Sequence, residues 1–240
     1  MLKIIFERLI AKHEILLQLI ISQIPNFARM WTNFSTDNFR EICDKLASED
    51  DALQSVIARY GYPPMWTRPN SFETLVHIIL EQQVSLASAL SALKKLQEKL
   101  GDISPEKLLL LTDEELKACY FSRQKTSYVR HLAEAITSRR FGLLDMEDLT
   151  NEEVRSELIK LKGIGNWTAD IYLMFALQRA DIFPHGDLAA ISALKEVKKL
   201  PKDSTKETML EITGNWRPYR TLATMILWHY YLSKRKPVSM

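Results

Sequence analysis

The stretch LKGIGNWTAD, residues 161–170, sets two glycines around one isoleucine between segments of helical periodicity. Glycine is scarce here, seven residues in 240, so two of them in three positions mark a demand of the backbone. A helix is expected to end near Lys160 and another to begin near Trp167. Gly163 and Gly165 then fall in the turn, where glycine supplies positive φ and lets another backbone come close. Free N–H groups at the start of the second helix, at the positive end of its dipole, would form a small anion site. The same residues also fit an ordinary tight turn with a glycine C-cap, and GIG alone does not choose between the two.

The surrounding chain has helical periodicity throughout. Asn70-Ser-Phe-Glu73 is a capping-box pattern, followed by Phe72, Leu75, Val76, Ile79 and Leu80 at helical spacing. Thr112-Asp-Glu-Glu115 and Thr150-Asn-Glu-Glu153 repeat that signal, the second opening a helix with Val154, Leu158, Ile159 and Leu161 on one face. Turn signals stand at Gly61-Tyr-Pro-Pro64, Gly101-Asp-Ile-Ser-Pro105 and Phe183-Pro-His-Gly186. With no sustained two-residue alternation and no Asn-Gly hairpin, the expected architecture is all-α, built of many short helices.

Composition excludes more than it selects. Hydrophobic residues at 46% and charged residues at 26% describe an ordinary globular protein. Cys43 and Cys119 supply neither a disulfide framework nor a four-ligand metal or iron–sulfur set, and a reducing intracellular compartment fits. The net charge is +2, with four Lys/Arg against two Glu in the first thirty residues. A DNA-binding surface must therefore arise from local placement of charge. Residues 15–24, ILLQLIISQI, are apolar but too short to span a membrane. Residues 1–30 are expected to be an appendage or an extra amphipathic helix.

Residues 161–190, LKGIGNWTADIYLMFALQRADIFPHGDLAA, resemble the helix-hairpin-helix and Gly/Pro/Asp signature of the base-excision DNA glycosylase superfamily. The alkylpurine branch, the 3-methyladenine DNA glycosylases II, is the best match. FETLVHIILEQQVS at 72–85 and NWRPYRTLATMILWHYY at 215–231 agree with that branch in the expected order. The resemblance implies a two-lobed helical fold: a bundle at 72–180 holding the hairpin (about 154–178), and a discontinuous lobe of 31–71 plus 181–240. It implies double-stranded damaged DNA as partner, no membrane, and a monomer.

Site roles follow from the same resemblance. Asp187 matches the essential aspartate, and a carboxylate suits that place because cleaving an N-glycosidic bond develops positive charge on the sugar. Gly-Asp-Leu-Ala-Ala-Ile is equally a good Asp N-cap, and the two roles are compatible. Trp167 stands where bifunctional members carry a Schiff-base lysine, which implies a monofunctional enzyme that leaves an abasic site. Its aromatic face also suits a cationic alkylpurine. Trp216 matches an aromatic that lines the base pocket, with Tyr172 a further candidate. Gln83 falls at the intercalating wedge position, with Gln82 as the alternative. Gly163, Gly165 and Lys162 are the hairpin's DNA contacts. The backbone carbonyls of Ile159, Leu161 and Ile164 match a monovalent-cation site; no other cofactor and no iron–sulfur cluster is expected. His185 is read as a turn residue, because a cationic leaving base needs no proton. Lys195, Lys198, Lys199 and Lys202 form a basic run, read first as a solvated face. The alternatives are a non-catalytic helix-hairpin-helix damage sensor, or a glycosylase for oxidised or deaminated bases.

Overall fold

A computed structural model of the chain describes residues 32–234. The helix expected within residues 1–30 lies outside the described residues. The described part is helical, with no strand and one isolated bridge between Asn33 and Arg179. Two helices, α1 (Phe39–Glu49) and α2 (Asp51–Tyr60), precede a long loop. There follow α3 (Phe72–Glu81), α4 (Leu86–Leu100), α5 (Pro105–Leu110), α6 (Asp113–Ala118) and α7 (Arg123–Thr137). The hairpin is α8 (Asn151–Ile159) and α9 (Asn166–Phe175), and the chain closes with α10 (Leu188–Val197), α11 (Lys206–Gly214) and α12 (Arg220–Ser233).

Local sequence starts these helices. Thr112 with Glu115, and Thr150 with Glu153, form complete capping boxes on α6 and α8, satisfying two first-turn donors reciprocally. At α3 the cap is Ser71, which accepts from the Thr74 N–H, and not Asn70. The Asn70 side chain instead donates to the Leu143 carbonyl and accepts from the Tyr172 hydroxyl. Gly61 and Gly101 end α2 and α4 at φ +78° and +74°, the left-handed geometry that glycine tolerates.

Packing sorts the helices into two groups. A hydrophobic cluster runs from Phe72 to Ile182 and centres on α3, where Leu75, Val76, Ile78 and Ile79 are all fully buried. Apart from the polar stripe of Glu73, His77 and Glu81, this helix is apolar and buried, so others must enclose it, and α4, α7 and α9 do so. The second group is α12 packed on α1, α2 and α10, with Leu222, Ala223, Met225, Ile226 and Leu227 buried. Backbone hydrogen bonds tie the groups together, from Phe34 N–H to the Gln178 carbonyl and from Arg68 N–H to the Phe175 carbonyl. The fold is thus the two-lobed helical arrangement, and α9, α10 and α12 converge where the groups meet.

Candidate active site and DNA interface

The hairpin turn covers 160–165. Gly163 has φ +83°, and a Cβ there would lie 2.2 Å from the Tyr128 ring of α7. Both a conformation and a clash therefore exclude a side chain at that position. Gly165 serves differently. It is the N-cap of α9 in extended conformation, with no side-chain cap hydrogen bond and open space where a Cβ would stand. The first N–H groups of α9 are thereby left to an external acceptor. Lys162 is exposed, and its ammonium donates to Ser127 Oγ at 2.7 Å. Ile159 departs from the expected buried face and is 49% exposed at the end of α8.

The loop between α3 and α4 separates its two glutamines. The Gln82 amide donates to the Gly163 carbonyl and to Thr168 Oγ1, both at 2.9 Å. It ties the loop to the hairpin. Gln83 takes φ +57° and is exposed.

Asp187 caps α10, its Oδ1 accepting from the Ala190 N–H at 2.7 Å. Oδ1 also accepts from the Trp228 indole, and Oδ2 from the Trp167 indole, each at 2.9 Å. Three donors from three helices therefore fix both oxygens, and a carboxylate still has acceptor capacity beyond three bonds. Among the described residues Asp187 has no ion-pair partner. Trp228 is half-buried and packs edge-on to Trp66, with ring centroids 6.4 Å apart, and against Phe175 at 5.8 Å. Arg68 lies 5.2 Å over the Phe175 ring and forms a bidentate pair with Glu81.

Two of the expected pocket residues lie elsewhere. Tyr172 is wholly buried in the cluster around α3, its hydroxyl bonded to Asn70 Oδ1 at 2.6 Å, so no face is open to a base. Burial pushes its phenol well above the ordinary value. Trp216 is also buried, and its indole donates to Asp50 Oδ2 at 2.7 Å. Trp228 stands beside Asp187, with Trp66 and Phe175 packed on it, although no spacing in the sequence singled them out. The basic run is partly internal: Lys198 pairs with Asp50 Oδ2 at 2.5 Å, and Lys195 donates to the Lys202 carbonyl.

His185 behaves as a turn residue. Its N–H bonds to the Phe183 carbonyl, its ring lies 4.9 Å from the Phe183 ring, and its Nδ1 is buried without a partner. Burial, helped by Arg220 and Lys206, lowers its pKa from the ordinary value. It lines a cleft of about 710 Å³ that also takes in Trp167 and the ion pairs of Asp170 with Arg155 and Asp181 with Arg220. No group of three or more His, Cys, Asp or Glu among the described residues could hold a metal ion, and no described helix is long and apolar enough to cross a membrane.

A glycine turn that frees a helix N-terminus, followed by a capped aspartate between two indoles, defines the class. The chain belongs to the HhH-GPD superfamily of base excision DNA repair proteins, whose profile matches residues 76–218. DNA-3-methyladenine glycosylase 1 of Schizosaccharomyces pombe is 30% identical over 183 residues, 73% of this chain and 79% of that protein. The Bacillus subtilis relative YfjP is 25% identical over 185 residues, 74% of this chain, and the chain spans 64% of that relative's length. The structure of the S. pombe 3-methyladenine DNA glycosylase in complex with abasic DNA matches with a TM-score of 0.72 at 28% identity. That match covers 78% of this chain and 95% of the S. pombe chain.

Proposed function

We propose that this chain is a monofunctional DNA glycosylase that removes alkylated purines, of the 3-methyladenine and 7-methylguanine type, from duplex DNA as a monomer. The observation that carries this is the Asp187 carboxylate, held on both oxygens by donors and unpaired with any cation among the described residues. The flipped nucleotide would enter where the lobes 31–71 plus 181–240 and 72–180 meet, its base against the Trp167 and Trp228 rings. A cationic alkylpurine is drawn to an aromatic face, and extruding a damaged base costs less than extruding an intact one.

Breaking the C1′–N bond sends its electron pair to the cationic base, which leaves neutral and needs no acid. Positive charge then grows on the sugar, and the fixed carboxylate stabilises it without reorganising. Water adds its oxygen to C1′ and gives up a proton, for which Asp187 is the base at hand. Trp167 offers no amine, so no Schiff base forms and the strand stays intact.

Hairpin and wedge would position the duplex. A phosphate would sit on the α9 N-terminus beside Gly165, and Gln83 would fill the gap left by the flipped base. The Ile159 and Ile164 carbonyls accept no hydrogen bond among the described residues, and Leu161 accepts one from the Ile164 N–H. These oxygens fit a monovalent cation, which would add positive charge beside that phosphate.

Base release from alkylated duplex DNA tests the reading. Wild type should free 3-methyladenine and 7-methylguanine, with strand breaks appearing only after alkali, and Asp187→Asn should free neither. Strand cleavage without alkali, or excision by the variant, would overturn it.

A further inference from the structure

A groove of about 630 Å³ lies beside the wedge loop, away from the hairpin turn. Its floor is Leu80, Ala89 and Ala92, the two alanines leaving the space, and the exposed Tyr120 stands at its edge. Its charges are Lys94, Lys95 and Lys125 against Glu98 alone. Lys95 pairs with Glu98 at 2.8 Å. Lys94 has no partner among the described residues. Lys125 has no carboxylate either; its ammonium donates to the Leu80 carbonyl at 2.5 Å. Holding a half-buried ammonium without a counter-charge is costly, and burial lowers the pKa of Lys125. In contrast, the Arg155 and Arg220 guanidinium groups of the larger cleft are paired with Asp170 and Asp181.

The groove is continuous with the DNA face through α7. That helix sets Tyr128 against Gly163 and Ser127 against Lys162 at the hairpin, and one turn earlier sets Lys125 against the last turn of α3, which carries the wedge loop. A strand lying across the hairpin and past Gln83 would next meet this groove.

We propose that the groove is a second track for the DNA backbone, in which Lys94 and Lys125 each neutralise a phosphate of duplex flanking the lesion. The proposal rests on the DNA-glycosylase reading above. Lys94 lies eight residues beyond Leu86 in α4, about 12 Å along the axis at 1.5 Å per residue. That distance corresponds to roughly three to four nucleotides at 3.4 Å per step, so on a duplex running along α4 Lys94 would lie outside the flipped nucleotide and its neighbours, with Lys125 nearer the wedge loop.

The test is binding of the full chain to duplexes with a central abasic-site analogue, across a salt series, for wild type, Lys94→Gln, Lys125→Gln and Lys125→Arg. Each neutralised phosphate contributes about 0.9 to the slope of log affinity against log salt. Each glutamine variant should therefore lose about one unit of slope, and Lys125→Arg should keep it. Single-turnover excision at saturating enzyme should not change. Shortening the duplex to two base pairs on one side of the lesion should erase the difference between wild type and Lys94→Gln, and shortening the other side should not. Lys94 is exposed, so its variant tests the groove even if Lys125→Gln fails to fold. Unchanged slopes, or a Lys94→Gln effect that ignores duplex length, would overturn the track while wild-type excision keeps the enzymatic reading intact. A wild type that binds abasic DNA without excising would defeat the enzymatic reading alone, and the slopes would still decide the groove. A wild type that does not bind DNA would overturn both.

Discussion

The two ends of α10 are built from the same parts. At its start Asp187 caps α10 and accepts indole N–H bonds from Trp167 and Trp228. At its end Lys198 reaches Asp50, which caps α2 and accepts the Trp216 indole. The difference is the cation. Asp50 is 8% exposed and its charge is matched by Lys198, itself 24% exposed. Asp187 has the cap and the indoles but no Lys or Arg among the described residues. A carboxylate paired with an ammonium has no field left for a reacting sugar, whereas one held only by neutral dipoles keeps its charge for that purpose. One aspartate therefore anchors the helix, and the other keeps its charge for the role proposed for it.

Exchanging charge for an amide breaks the comparison most directly. Asn is as good an N-cap as Asp, so Asp187→Asn should keep the fold and the binding of abasic DNA. Excision should fall by on the order of 10² to 10³-fold or more, the scale of one lost electrostatic group in a preorganised site. Single-turnover rates beside melting curves would measure both. A variant that melts early and still excises would reverse the roles of the two ends.

Asp50→Ala should do the opposite. It strips the cap from α2 and strands Lys198 in a mostly buried place, which costs about 3 kcal/mol. For a chain of this size that corresponds to roughly 6 to 12 °C in Tm, read by calorimetry, with the excision rate well below the melt close to wild type. Next come the paired variants Trp228→Phe and Trp216→Phe, which keep an aromatic ring and remove one N–H. A hydrogen bond to a charged group contributes about 1.5–3 kcal/mol. At the active end this should appear as a loss of about tenfold or more in the excision rate, with little change in Tm. At the anchoring end it should appear as a lower Tm with the rate kept. Equal effects on rate would mean that both tryptophans serve the site.

Which tryptophan did which was not legible in the sequence. Both lie in NWRPYRTLATMILWHYY, and α12 is apolar on every side, so periodicity selects no face of it. Only the packing of α12 on α10 turns Trp228 toward Asp187. Tyr172 was legible and misassigned: five residues past Trp167 it is rotated by about 140° on α9, which points it to the core. Gln82 and Gln83 are adjacent and chemically identical, and only the positive φ of Gln83 sends one inward and the other out. The glycines fared better, because the need at Gly163 is a property of the backbone that sequence records directly. Asp187 was legible as a cap, which the structure bears out, and the same helix start fixes the carboxylate for its proposed role.

The smallest effect separates the two ends by pH. Burial alone would raise Asp50, but the bonds from Lys198 and Trp216 outweigh it and hold its pKa below the ordinary 3.8. A lowered carboxylate binds fewer protons folded than unfolded, so its contribution is complete above about pH 3.8 and is lost as pH falls through the folded value. The advantage of wild type over Asp50→Asn should therefore persist at neutral pH and shrink only in acid. His185 beside Asp187 has the other window. Its pKa is lowered from 6.5, chiefly by burial, so the unfolded chain takes up the proton first, and stability begins to fall as pH drops through 6.5. His77, lowered by burial and Arg68, adds to the same window, and His185→Gln separates the two shares. Wild type and His185→Gln should show the same pH trend above pH 7, and wild type should lose Tm relative to the variant between pH 6.5 and 5. A Tm difference constant across that range would mean that His185 gains its proton equally in both states, and that the turn before Asp187 opens to water.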